Sequence, residues 1–402
     1  MIKILPLYFT FIFSLYANVL QEAIDKTPAG STLKLSFGIY SGKLIINKPI
    51  TIIGKDDGVI IKGDGEGKVI TINSSNVVLK NLVITGSGNR MDKLDAAIAM
   101  NNVKNCEIHH CKILDSLYGI DMNMVENSII TDNYITSKKN EISLRGDALK
   151  IWYSNNNIIK NNTIENSRDV TLTYASHNTI EDNTFLHNRL ALHLSKSHQN
   201  MIKNNTFKYN SVGILLMGVK DIKVIGNFIQ SSKGAAGIAV VADKVSNFLF
   251  ENNSVKYNAK ALYIDAKRVE TGYQRFIKNN KLLYNGEALH FHSSIKNNII
   301  THNIIKGNMD DVIKDTRASY TANNIIEYNY WDKYAGFDTN DDNIGETTHK
   351  NFQYADQLWH YNHKVKFFYG SPIMALINFL SKIAPFIEPI MLLEDTKPLV
   401  HP

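Results

Sequence analysis

The chain has 402 residues, a formal charge of +6 and 44% apolar residues. That balance excludes a disordered polyelectrolyte, leaves room for a sizeable core, and is too weakly basic for a nucleic-acid footprint. Two cysteines exclude a disulfide-stapled scaffold and a four-cysteine zinc module.

Residues 1–17 read as an export signal peptide: Lys3 supplies the positive start, Ile4 to Tyr16 the apolar run, and Ala17 a small residue before the cut. The apolar run is too short to span a bilayer. The mature protein is therefore expected outside the cytoplasm. Val19 to Asp25 has the apolar spacing of a helix and is expected to cap a repeat structure. Strands follow, with Leu33, Leu35 and Phe37 expected inward and Ile50 and Ile52 repeating the alternation before Gly54.

From about residue 80 to 330 one phrase recurs: an asparagine with an apolar residue two places on. Its anchors are Asn81, Cys111, Asn133, Asn162, Asn183, Asn205, Asn227, Asn253, Asn280, Asn303 and Asn329, and between 162 and 227 the steps are 21, 22 and 22. This period is too short for helical repeats, and the leucine lattice of leucine-rich repeats is absent. Alternating apolar pairs such as Leu192 with Leu194 and Ile214 with Leu216 indicate short strands with one face inward. The reading is all-β: a parallel β-helix of about 22-residue coils over residues 18–335, held by a ladder of corner asparagines in αL geometry.

Aligning coils on Gly119, Ala148, Val170, Ala191, Gly213, Gly237, Ala261 and Ala288 gives two outward columns. One runs Asp121, Lys150, Leu172, His193, Leu215, Ala239, Tyr263, His290. The other runs Asn123, Trp152, Tyr174, Ser195, Met217, Val241, Asp265, His292. Their apolar, thioether and imidazole content marks a face that touches something. His290 and His292, with Tyr263 and Asp265 one coil before, could share a metal, against a plain solvated pair. Cys106 and Cys111, around His109 and His110, suit Cu(I) chemically but fall at interior positions. Asp147 and Asp169, with Arg145, Arg168 and Arg189, offer either paired carboxylates for acid–base work on a polysaccharide or a structural salt-bridge ladder.

After Trp331 the repeat stops. Residues 336–370 form an acidic closing region in which Asp338, Asn340, Asp342 and Glu346, with the Ile344 carbonyl, approach calcium-loop spacing. Asn343 stands where the turn glycine is usual and the twelfth-position Glu is missing, so an acidic loop without an ion competes with structural calcium. Residues 371–402 are expected as a helical tail. Ser371 is its N-cap, Pro372 lies in its first turn, and Ile373, Leu376, Phe379, Leu380 and Ile383 make one apolar stripe for docking a membrane partner.

The segments RGDALKIWYS (145–154), NSRDVTLTYASHNTIEDN (166–183), NRLALHLSKSHQNMIKNN (188–205) and NSVGILLMGVKDIKVIGN (210–227) resemble the NosD family. NYWDKYAGFD (329–338) and SPIMALINFL (371–380) resemble that family's closing motifs in the same order. The resemblance implies a right-handed β-helix in the periplasm that works with a membrane permease and its ATPase. It also implies a copper chaperone and apo nitrous oxide reductase as partners, assembly of a copper–sulfur centre as the task, copper as a transient ligand, and no enzymatic activity. His193 and Met217 match family metal-face residues, whereas Ser195, Leu190 and Leu194 replace a methionine and two tyrosines, and Ala148, Val170 and Ala191 replace glycines. The competing reading is a secreted polysaccharide lyase or hydrolase using Asp147 and Asp169.

Overall fold

The computed structural model describes residues 19–402 apart from 235, 266–271, 317–320, 355–357, 360–361 and 385–387. The expected signal peptide lies outside the described residues. The chain is a right-handed parallel β-helix in which each coil gives one strand to each of three parallel sheets. The described residues divide into two compact units, one ending at residue 184 and the other beginning at 185.

In the first unit, helix α1 (Val19–Lys26) closes the open end of the first coil. Leu20 and Ile24 are buried, and Gln21 offers its side-chain oxygen to the Ile45 amide (2.9 Å) and its nitrogen to the Ile45 carbonyl (3.0 Å). An exposed sheet edge is thereby blunted. Six third-sheet strands follow, from Leu44–Ile46 to Asp169–Thr173. Phe37, expected inward, is 77% exposed, because its strand ends at Leu35 and the chain turns before the next begins. In the second unit six more third-sheet strands run from Leu190–Ser195 to Asp310–Lys314.

The asparagine ladder forms inside both units. Each Asn offers its side-chain oxygen to the backbone N–H and the amide Nδ2–H of the Asn one coil earlier. In the first unit it joins Asn133, Asn162 and Asn183, and in the second Asn205, Asn227, Asn253, Asn280, Asn303 and Asn329, with Nδ2–Oδ1 distances of 2.8–3.1 Å. Buried amides must find such partners. The left-handed turn and the ladder are not one residue, however: Asn161, Asn204, Asn252 and Asn279 take positive φ, and the next residue carries the ladder. Asn81 is therefore the turn residue of its coil, and the buried Leu82 aligns with Cys111. Cys111 substitutes in the ladder by donating its backbone N–H to Asn133 Oδ1 (2.9 Å). Both cysteines are free and buried, and burial pushes the Cys111 thiol up to about 12, far from a reactive or metal-binding thiolate.

The C-terminal residues depart from a helical tail. Helix α2 spans only Pro372–Ile383, and Ile390–Asp395 is a strand antiparallel to His349–Gln353. Asp395, fully buried, ends the ladder: its Oδ2 accepts from Asn329 N (3.1 Å), Asn329 Nδ2 (2.9 Å) and Trp331 Nε1 (2.9 Å). A carboxylate oxygen thus stands where the next coil's Asn oxygen would be.

Candidate functional site

The outward face of the third sheet holds most of the expected residues, in a corrected register. In the first unit Asp121, Lys150 and Thr171 are in line, as are Asn123, Trp152 and Thr173. In the second unit His193, Leu215, Val241, Tyr263 and His290 are in line, and beside them Ser195, Met217, Asp243 and Asp265. Leu172 and Ala239, expected outward, are buried instead. The small inward position is Ala239 rather than Gly237, and Asp169 occupies it in its own coil, opposite Ala148. A small-residue anchor read from sequence misses a carboxylate there.

In the first unit Asp147 and Asp169 converge on one guanidinium. Arg168 Nη2 lies 2.8 Å from Asp147 Oδ1 and Nε 3.4 Å from Asp169 Oδ2, while Thr171 donates to Asp147 Oδ2 at 2.8 Å. Burial pushes the Asp147 carboxyl up, more than Arg168 pulls it back, and the charge on Asp169 adds to the rise. Arg145 turns away to the carbonyls of Asn140 and Asn166. Beside this node Trp152, Tyr153 and Tyr174 form an aromatic cluster, the two tyrosine rings stacked at 4.9 Å.

In the second unit His290 and His292 are not a surface pair. His290 is 1% exposed; its Nδ1 bonds Glu287, and its Nε2 lies 2.9 Å from Asp315 Oδ2 as an ion-pair contact rather than an aligned hydrogen bond. Lys260 Nζ lies 2.5 Å from Glu287 Oε2, and His292 Nδ1 3.1 Å from Asp315 Oδ2. Burial alone would raise the Glu287 carboxyl, yet the His290 and Lys260 contacts hold it below the usual range. Tyr263 stacks on His290 at 4.8 Å, and burial with the nearby carboxylates raises its phenol. Asp265 accepts from Ser293 Oγ at 3.4 Å.

Such a network does not fit a resident copper ion, because both nitrogens of the buried imidazole already face carboxylates. Among the described residues no group of three or more His, Cys, Asp or Glu side chains is arranged to hold a metal. The soft donors left on this face are His193 and the exposed Met217, two residues further along on the neighbouring strand. His290→Ala with His292→Ala is accordingly expected to lower the melting temperature and leave Cu(I) uptake unchanged, as followed by thermal denaturation and Cu(I) titration.

The expected calcium loop closes on itself. Asp338 accepts from the amides of Asn340 (3.2 Å) and Asn343 (2.8 Å), and Asp342 from Ile344 (2.7 Å). Glu346 takes the Thr339 hydroxyl (2.5 Å). These Asx-type turns direct the oxygens at the loop's own backbone instead of a shared centre, so the donor set does not fit calcium.

Helix α2 starts as expected, with Ser371 Oγ accepting from Met374 N at 3.2 Å. Met374 packs inward, whereas Ile373 (65%), Leu376 (57%), Phe379 (58%), Leu380 (49%) and Ile383 (68%) are exposed. No helix among the described residues is long and apolar enough to cross a membrane.

Comparison with known proteins separates fold from family. The mannuronan C-5 epimerase AlgE6 A-module of Azotobacter vinelandii aligns with TM-score 0.55 at 14% identity, covering 77% of this chain and 92% of that one. A family 28 exopolygalacturonase of Yersinia enterocolitica gives 0.59 at 12%, covering 78% and 75%. At such identities only the β-helix is shared. The "Probable ABC transporter binding protein NosD" of Pseudomonas aeruginosa is 28% identical over 410 residues, covering 92% of this chain and 90% of that protein. The family model described as periplasmic copper-binding protein (NosD) matches residues 135–336. The match spans half of the sequence, including the coils from Lys150 and Trp152 to His290 and His292, and the chain belongs to the NosD family of periplasmic copper-binding proteins.

Proposed function

We propose that this protein is the periplasmic accessory subunit of an ABC-type transporter and supports assembly of the copper–sulfur centre of nitrous oxide reductase. It binds a membrane permease, itself paired with an ATPase, and receives the copper chaperone and the apo-reductase on its coils. The observation that carries this reading is α2: five large apolar side chains on one helical face, all about half or more exposed. Solvent disfavours such a stripe, and covering it stabilises by about 25 cal/mol per Å², before association costs. Copper is cargo in this reading, touched in passing by His193 and Met217, since thioether and imidazole suit Cu(I).

Leu376→Glu with Phe379→Glu should abolish co-purification with the permease and leave the melting temperature within about 1 °C, because neither side chain is in the core. Permease retained by this variant would sink the docking role. Truncation after residue 370 is unsuitable, since it also removes Asp395.

A second reading is favoured by one observation, the raised Asp147 carboxyl beside Asp169 and Arg168, which suits a general acid on a polysaccharide. Cleavage of uronic-acid polymers, lost in Asp147→Asn, would establish it in place of the accessory role.

A further inference from the structure

The last third-sheet strand, Asp310–Lys314, ends the coils at a cavity of about 450 Å³ between it, α2 and the strand His349–Gln353. Its most unusual member is Asp311. In register Asp311 lies opposite Ala288, in the inward column that carries Ala or Gly in every earlier coil of this unit: Ala191, Gly213, Ala239, Ala261 and Ala288. Its side chain is 2% exposed, yet neither carboxylate oxygen receives a hydrogen bond among the described residues. Lys333 Nζ stands 3.2 Å from Oδ2, but it also donates to the Asn308 and Met309 carbonyls at 3.0 Å each. Lys333, half-exposed and shared with two carbonyls, is thus, among the described residues, the one charged partner of a carboxylate buried in a column where a methyl suffices, and such burial is costly.

The other walls carry the complementary imbalance. Asn351 Nδ2 is buried without an acceptor among the described residues, and Lys350 and Lys382 line the same space. Asp310, next to Asp311, accepts only the Tyr369 hydroxyl at 2.6 Å among the side-chain donors described. The coil end therefore holds two carboxylates with Lys333 as their nearest ammonium, while the hairpin and α2 side holds the unpartnered Asn351 amide, Lys382, and Lys350 with Glu394 at 3.7 Å. A simple cation would meet the lysines, and a simple anion would meet two buried carboxylates.

We infer that this cavity binds a compact zwitterion, a primary ammonium a few atoms from a carboxylate or phosphate. The ammonium would bond Asp311 and Asp310, and the anionic end Asn351, Lys350 and Lys382. Two sources carry this chemistry: a free amino acid, or the ethanolamine phosphate headgroup of a lipid presented beside the apolar face of α2. This reading stands whether or not α2 docks on a permease.

The test is thermal-shift and NMR titration of the mature chain with glycine, O-phosphoethanolamine, phosphocholine, ethanolamine and inorganic phosphate. Glycine or phosphoethanolamine should bind saturably, at least about tenfold tighter than ethanolamine, phosphate or phosphocholine, which lack one partner group. Asp311→Asn should weaken that binding by about tenfold or more, and Asn351→Leu should do likewise, giving an independent check at the anionic end. Phosphatidylethanolamine vesicles that co-sediment with wild type but not with Asp311→Asn identify the lipid source; glycine binding without vesicle binding identifies the free one. No saturable response to either zwitterion, or a response equal to that of phosphate or ethanolamine alone, or one unchanged in both variants, overturns the site.

Discussion

Replacing Asp395 by leucine should destabilise the second unit by about 3–5 kcal/mol. The carboxylate serves Asn329 N, Asn329 Nδ2 and Trp331 Nε1 through one oxygen, and the Lys397 amide (3.1 Å) through the other. Hydrogen bonds to a charged acceptor are worth about 1.5–3 kcal/mol each, and the buried donors left behind cost their desolvation. Asp395→Asn keeps one oxygen in place and should lose less. The measurement is urea denaturation of both variants with Trp331 fluorescence, since this ring sits against the lost acceptor. Equal midpoints for wild type and Asp395→Leu would mean that the cap adds nothing to the ladder.

Asp311→Asn should act in the opposite direction and raise stability at neutral pH. Burial pushes the Asp311 carboxyl from 3.8 up to about 6, against the pull of Lys333. The folded state holds this proton more tightly than the unfolded chain, so the contribution of Asp311 to stability is greatest below about pH 4. It falls as pH rises toward about 6 and levels off above it. A rise from 3.8 to about 6 corresponds to about 3 kcal/mol at most, which the amide would recover at pH 7.5. Asp310, also raised by burial, faces the same space and titrates beside it, with the Lys333 ammonium 3.2 Å from Asp311. Melting temperatures of wild type and variant from pH 4 to 8 should converge at the acid end, separate between about pH 4 and 6, and stay apart above that. A variant less stable at pH 7.5 would make Asp311 a structural anion paired with Lys333. A variant that is more stable but has lost zwitterion binding is the signature of a residue kept for a ligand at the expense of the fold.

Which residues reach the outward face depends on register, and register is set by residues that spacing does not identify. Glycine and alanine mark the inward corner in most coils, but Asp169 and Asp311 occupy the same column. No periodicity argument assigns a carboxylate to an inward position. Leu172 and Ala239, which anchoring on Val170 and Gly237 places at the surface, are both buried. His193 and Met217 lie outward on neighbouring strands, as expected.

What the sequence determined by itself is the repeat. From Asn133 on, each coil solves the same local problem, a buried corner amide and an alternating apolar strand, so the phrase recurs every 21–29 residues and is legible without coordinates. The apolar stripe of α2 is legible for the same reason, since helical geometry alone places residues 373, 376, 379, 380 and 383 on one side. Only the tertiary structure decided how the coils end and which side chains share a charge. Asp395 meets Asn329 across 66 residues of sequence. His290 is buried by its ion-pair partners Glu287 and Asp315 rather than presented on the surface. Asp311 becomes a buried carboxylate facing a cavity, with Lys333 as its one ion-pair partner among the described residues, because no further third-sheet strand follows Asp310–Lys314 and the hairpin and α2 pack there instead. Such contacts join segments with no common period, and their energies depend on burial and pairing that spacing does not encode.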